Sequence, residues 1–174
     1  MRSKLIGCAL CLAVCLAAFA APAAAQEKKE YLSEIEADKI RDAETTGQRI
    51  KLFVAFAADR IKKLQYELGH PSTDPRRAER LNGLLNAYTG CVDDAGELIE
   101  LGRDKQENIH DGIKEMQTKG KEFLAYFEEL AKNGVERDSY KDTLDDAIEA
   151  TKEALADASK AEEEIAPPPV RRKK

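Results

Sequence analysis

Between Pro75 and Pro167 the chain has no proline, and its apolar residues recur at helical spacing. One unbroken heptad joins Leu81, Leu85, Tyr88, Val92, Ala95, Ile99, Gly102, Gln106, Ile109, Ile113, Met116, Gly120, Phe123, Phe127 and Leu130. The pattern fits a single helix over about 75–132, about 87 Å long at 1.5 Å per residue. It also fits two helices joined by a tight turn, and the turn is favoured. Gly102 and Gln106 are the poorest core members and sit together. Gly102 can end a helix in the left-handed conformation, and Asp104 with Glu107 resembles a capping pair for the next. The apolar flank also changes side, from Leu84, Cys91 and Leu98 before the gap to Leu124 and Ala131 after it.

Upstream, Ser33 and Glu36 have capping-box spacing for a short helix over 34–43, with Ile35 and Ile40 as its narrow apolar side. A second helix runs from about Gly47 to Leu68. Its stretch from Leu52 to Ala58 is apolar all round, which predicts a central position. Gly69 and Pro71 stop it. Asp74 then caps a third helix with Pro75 at its first position. Asn133-Gly134 closes the fourth. A last, Ala-rich helix covers about 138–165, with Leu144, Ile148, Thr151, Leu155, Ala158 and Ile165 on one face. The expected fold is all-α: an antiparallel, up-down-up-down bundle of four long helices plus a short N-terminal helix. Its rival is an extended rod with the same helices.

The two ends read differently. Arg2 and Lys4 precede 17 uncharged residues, Leu5 to Ala21, and Ala23-Ala24-Ala25 follows Pro22. This is the pattern of a secretory signal peptide over 1–25, cleaved before Gln26, and it implies a periplasmic or secreted protein. The bundle domain is then 26–166. Pro167-Pro168-Pro169 and Val170 to Lys174 form a proline-rich, basic, disordered tail over 167–174.

Removing the leader alters the arithmetic. The net charge of -5 loses two cations and becomes -7. A strongly basic balance is missing, so no nucleic-acid partner is expected. Cys8, Cys11 and Cys15 leave with the leader, and Cys91 is the cysteine that stays. It reads as a small buried hydrophobe or as the point of an intermolecular disulfide. Asp93 and Asp94 beside it disfavour the thiolate that catalysis needs.

Candidate chemistry is sparse. Glu107 and His110 have Glu-x-x-His spacing, whose carboxylate and imidazole share a helical face. Di-iron bundles use that spacing twice, with two more glutamates. Met116 with His110 or His70 is the corresponding axial pair for haem. Each has a plainer reading: Glu107 favouring a helix dipole, Met116 as core filler, His70 as a loop residue. The aromatics Phe53, Phe56, Phe123, Tyr126 and Phe127 read as core. Ser33, Ser72, Ser139 and Ser159 sit in no strand–turn–helix elbow. No catalytic, cofactor-binding or metal residue is therefore assigned.

The leading expectation is an exported, non-enzymatic structural, adaptor or chaperone-like envelope component acting by protein–protein contact. Its partner is an unknown envelope protein or a further copy of itself. The basic tail adds at most weak contact with an anionic surface. The alternative is a bundle that holds a metal or haem.

Overall fold

Ser33 and Thr45 each start a helix with the same device. The Ser33 hydroxyl accepts the Glu36 amide while the Glu36 carboxylate accepts the Ser33 amide, opening α1 at Glu34–Asp42. Thr45 and Gln48 repeat this reciprocal pairing and open α2, Thr46–Gly69. The remaining helices are α3, Arg77–Asp104, α4, His110–Asn133, and α5, Lys141–Glu164, with a single 3-10 turn at Arg137–Ser139 before the last. The computed structural model describes residues 31–166. The expected leader at 1–25 and tail at 167–174 lie outside them.

The four long helices form a bundle, and every heptad member except Gln106 is buried. The chain takes the turn and not the rod. Along the sequence the helices alternate in direction, but α3 and α4, joined by five residues, barely touch. They lie on one diagonal. α2 packs against α3 and α4, and α5 packs against the same two. α3 and α5 therefore run parallel, with Tyr88 meeting Thr151 and Gln106 meeting Glu164. α2 and α4 also run parallel, with Gly47 against Ile109 and Ile50 against Gly112. Because α2 occupies a corner, it is not covered all round: Ala55 is exposed and Leu52 half-buried.

Tyr88 is the link across the diagonal. Its ring meets Phe123 and Phe127 edge-on, at centroid distances of 5.7 and 4.7 Å. Its hydroxyl lies 2.7 Å from the Thr151 hydroxyl, which itself donates to the Ala147 carbonyl at 2.6 Å. Thr151 has one proton to give, so Tyr88 is the donor.

Several expected boundaries shift. The α3–α4 turn is a Schellman motif: the Glu107 amide reaches the Gly102 carbonyl at 2.8 Å and the Gln106 amide reaches Arg103 at 3.0 Å. Gln106, with φ 53°, takes the left-handed position, and Gly102 stays helical. Gly102 is needed for another reason. A Cβ there would sit 2.8 Å from Ile109 Cδ1, so its hydrogen lets the returning chain close. Asp104 stays inside α3, and Glu107 bonds the Thr46 hydroxyl, so the two do not cap α4. Gly69 remains in α2, with His70 at the cap. Asp74 and Pro75 form a turn ahead of α3: the Asp74 carboxylate accepts the Arg76 amide at 3.0 Å, and the helix begins at Arg77. α5 starts after Tyr140, later than Asp138. Its deepest face is an alanine stripe, Ala147, Ala150, Ala154, Ala158 and Ala161, with Leu144 and Thr151. Ile148 and Leu155 are only half-buried. Small side chains let α5 approach two helices at once, which a leucine face at those positions would prevent.

Candidate functional site

The most developed long-range polar arrangement is a groove between α2 and α3 that holds the N-terminal arm, Tyr31 to Asp42. Two charges are buried there. Arg60 on α2 and Asp94 on α3 are each 6% exposed. Burying a charge is costly unless it is paired and hydrogen-bonded. The arm supplies those partners. Arg60 donates to both Glu36 carboxylate oxygens, at 2.9 and 2.7 Å, and to the Tyr31 carbonyl at 3.1 Å. A further bond at 2.8 Å goes to Asp59, which Lys63 also grips at 2.7 Å. The Tyr31 hydroxyl donates to Asp94. Its ring lies flush on α3 because position 90 is glycine: a Cβ there would come within 2.8 Å of the ring. Leu32 joins the core beside it.

Glu36 thus serves twice, as the capping-box acceptor of α1 and as the fork partner of Arg60. The Arg60 hydrogen bonds, aided by those of Ser33 and opposed by burial, hold its carboxyl down to about 2. The docked arm therefore favours the ionised form. The coupling is fully present above the ordinary value of 4.5 and fades as pH falls from there toward 2. Hydrogen exchange of the α1 amides should show a docked arm at pH 6 and a released one near pH 2. An arm equally protected at both would contradict this pairing. Burial and the Asp94 bond both push the Tyr31 phenol up, so it stays a donor at any physiological pH.

Cys91 is 0% exposed, on α3 next to Gly90, where the Tyr31 ring sits. That burial keeps a disulfide with another molecule out of reach while the arm is docked. An aromatic disulfide reagent should leave the native thiol untouched and titrate it at once in denaturant; rapid native labelling would refute the placement.

The other candidates are dispersed. His70 ends α2, stacked on Tyr66 with ring centroids 4.1 Å apart. His110 opens α4 at the opposite end of the bundle, 3.1 Å from the Ala166 carbonyl. Met116 is fully buried between them. The Met116–His70 pair is therefore not brought together. Among the described residues no cluster of three or more histidine, cysteine or carboxylate side chains is placed to hold a metal ion. The serines are occupied in local structure: Ser33 caps α1, Ser139 donates to Glu136, Ser159 to Leu155, and Ser72 accepts from Asp74. Phe53, Phe56, Phe123 and Phe127 are buried and Tyr126 half-buried, as core aromatics.

A second buried cation, Arg77, ties the far end together. It donates to Glu136 at 2.7 Å and to the His70 carbonyl at 3.2 Å, joining α2, α3 and the α4–α5 loop. Arg60, Arg77 and Asp94 have no flag in the sequence, because charged residues at helical spacing normally face water. One available signal was Tyr31-Leu32, an apolar pair directly before a capping box.

Comparison with known proteins finds no family model, no curated protein and no solved structure that matches this chain.

Proposed function

We propose that the chain is an exported, non-enzymatic helical bundle that works by gripping polypeptide, as a structural, adaptor or chaperone-like component of the cell envelope. One observation carries the reading. The body spends two buried charges of opposite sign, Arg60 and Asp94, on holding a short capped segment of chain. A carboxylate fork and a phenol donor seated over glycine are the means of recognising a peptide. Export rests on the basic start, the uncharged run and the small residues before Gln26.

Two measurements test it. Protein isolated from its host should begin at Gln26, and crosslinking in the intact envelope should trap it on a protein, another or its own kind. A chain retaining Met1, or one that yields no adduct, overturns the reading. The metal- or haem-holding alternative, through Glu107, His110, Met116 or His70, predicts a stoichiometric metal or a visible absorption band in the native preparation.

A further inference from the structure

We propose that the N-terminal arm is exchanged between two copies of the chain, each copy seating Tyr31 and Glu36 in the Asp94–Arg60 groove of the other. This rests on the reading that the groove holds polypeptide, and it names the occupant.

Three observations carry it. First, complementarity is automatic. A second copy presents the same Tyr31 donor to Asp94 and the same Glu36 fork to Arg60, so exchange sacrifices none of the bonds that bury these charges. Second, the hinge is built to be indifferent to where the arm goes. Ala43 and Thr45 are extended, with φ/ψ of -69°/123° and -125°/152°. The hinge is held from the α2 side: Arg49 donates to the Ala43 carbonyl at 3.2 Å, and Gln48 accepts the Glu44 and Thr45 amides at 2.9 and 3.2 Å. Those bonds persist when the arm leaves. Third, the closed arrangement leaves something undone. α1 buries none of its own residues, and Ile35, expected on its inward side, is 70% exposed. The arm's grip is concentrated at Tyr31, Leu32 and Glu36, with Ile40 half-buried against the core, and Ile35 is left outside it. In an exchanged pair each Ile35 has a second copy to pack against, a gain the monomer lacks. The groove contacts being common to both forms, the balance is set by protein concentration against the effective concentration of a tethered arm, roughly millimolar for a short linker. Ile35 packing lowers that threshold.

Charge reversal provides a test in trans. Glu36→Arg alone opposes two cations, and Arg60→Glu alone opposes two carboxylates. In a mixed pair with exchanged arms, the two reversed side chains face each other in one groove. The native Glu36 faces the native Arg60 in the other, so both contacts are complementary. The equimolar mixture should form a species of twice the monomer mass by light scattering, associating at least about tenfold more tightly than either variant alone. A mixture that remains two monomers overturns the proposal. Should Arg60→Glu fail to fold, the wild type decides by native mass spectrometry of mixed heavy- and light-isotope samples. Mixed dimers that Ile35→Lys reduces about tenfold support exchange. A wild type monomeric to millimolar concentration, or a dimer indifferent to Ile35→Lys, refutes it. Dimers of the wild type without complementation between the folded variants also refute it, since the interface then lies elsewhere. Envelope crosslinks to another protein without homodimers sink the exchange and leave the polypeptide-gripping reading intact; no crosslinks at all sink both.

Discussion

Phe127→Ala is expected to destabilise the bundle by about 3–5 kcal/mol, the cost of emptying a fully packed aromatic site. Phe127 has no exposed surface and meets the Tyr88 ring edge-on at 4.7 Å. The site matters because of the diagonal. α3 and α4 barely touch along their lengths, so the Tyr88–Phe123–Phe127 group bridges them across the centre. The cavity closes poorly: the buried face of α5 is mostly alanine, whose side chains are too short to reach into it. Against a total stability of roughly 5–15 kcal/mol, the loss is about a third to a half for a domain near the middle of that range. Urea unfolding should show it as a lower midpoint with the slope unchanged. Two controls locate the effect. Tyr88→Phe keeps the ring and removes only the hydrogen bond to Thr151, so it should cost about 1 kcal/mol. Tyr126→Ala, half-buried on the flank, should fall well below Phe127→Ala. If Phe127→Ala cost no more than Tyr126→Ala, the centre of the bundle would lie elsewhere.

Much of this core is legible in the heptad itself. The alternating steps from Leu81 to Leu130 identify the buried seam, and the weak pair Gly102–Gln106 locates the turn. Periodicity reports which side of a helix is apolar, and for α3 and α4 that side is the buried one. It does not report which helices are neighbours. The parallel pairing of α3 with α5 depends on the direction in which five loop residues leave Gln106. Nor does periodicity weigh small residues properly. Ile148 and Leu155 look like the inner face of α5, yet the alanines beside them go deeper, because close approach favours the smaller side chain. The arm groove was hidden for a different reason. Arg60 and Asp94 carry helical-surface chemistry in the sequence, and what meets them in the fold arrives from far along the chain: Tyr31 and Glu36 from 29 and 24 positions away for Arg60, and Tyr31 from 63 for Asp94. The capping box at Ser33 was legible, but the second job of its glutamate was not.

Glycine shows the same limit most sharply, and it leads to a pair of substitutions with opposite signs. Read from sequence, a glycine marks a helix end; among the described residues none has a positive φ. What separates them is the space a side chain would meet. Gly112 lies where parallel helices α2 and α4 touch, and a Cβ there would sit 3.0 Å from Ile50 Cβ and 3.2 Å from the Gly47 carbonyl oxygen. Neither atom can rotate aside. Gly112→Leu improves helix propensity by nearly 1 kcal/mol. It must also wedge apart two helices, and overpacking of that kind costs typically about 1–3 kcal/mol, occasionally more. With backbone as the obstacle the upper part of that range applies, and a net loss of about 2 kcal/mol is expected. Gly83, exposed in the second turn of α3, has no atom within 4 Å of its would-be Cβ. Gly83→Ala meets no obstacle and should stabilise by about 0.5–1 kcal/mol. Thermal unfolding of the two variants should therefore move in opposite directions from the wild type. A rise in both midpoints would mean that α2 and α4 have room between them, and the parallel pairing that positions the α3–α4 turn against Gly47 would have to be redrawn.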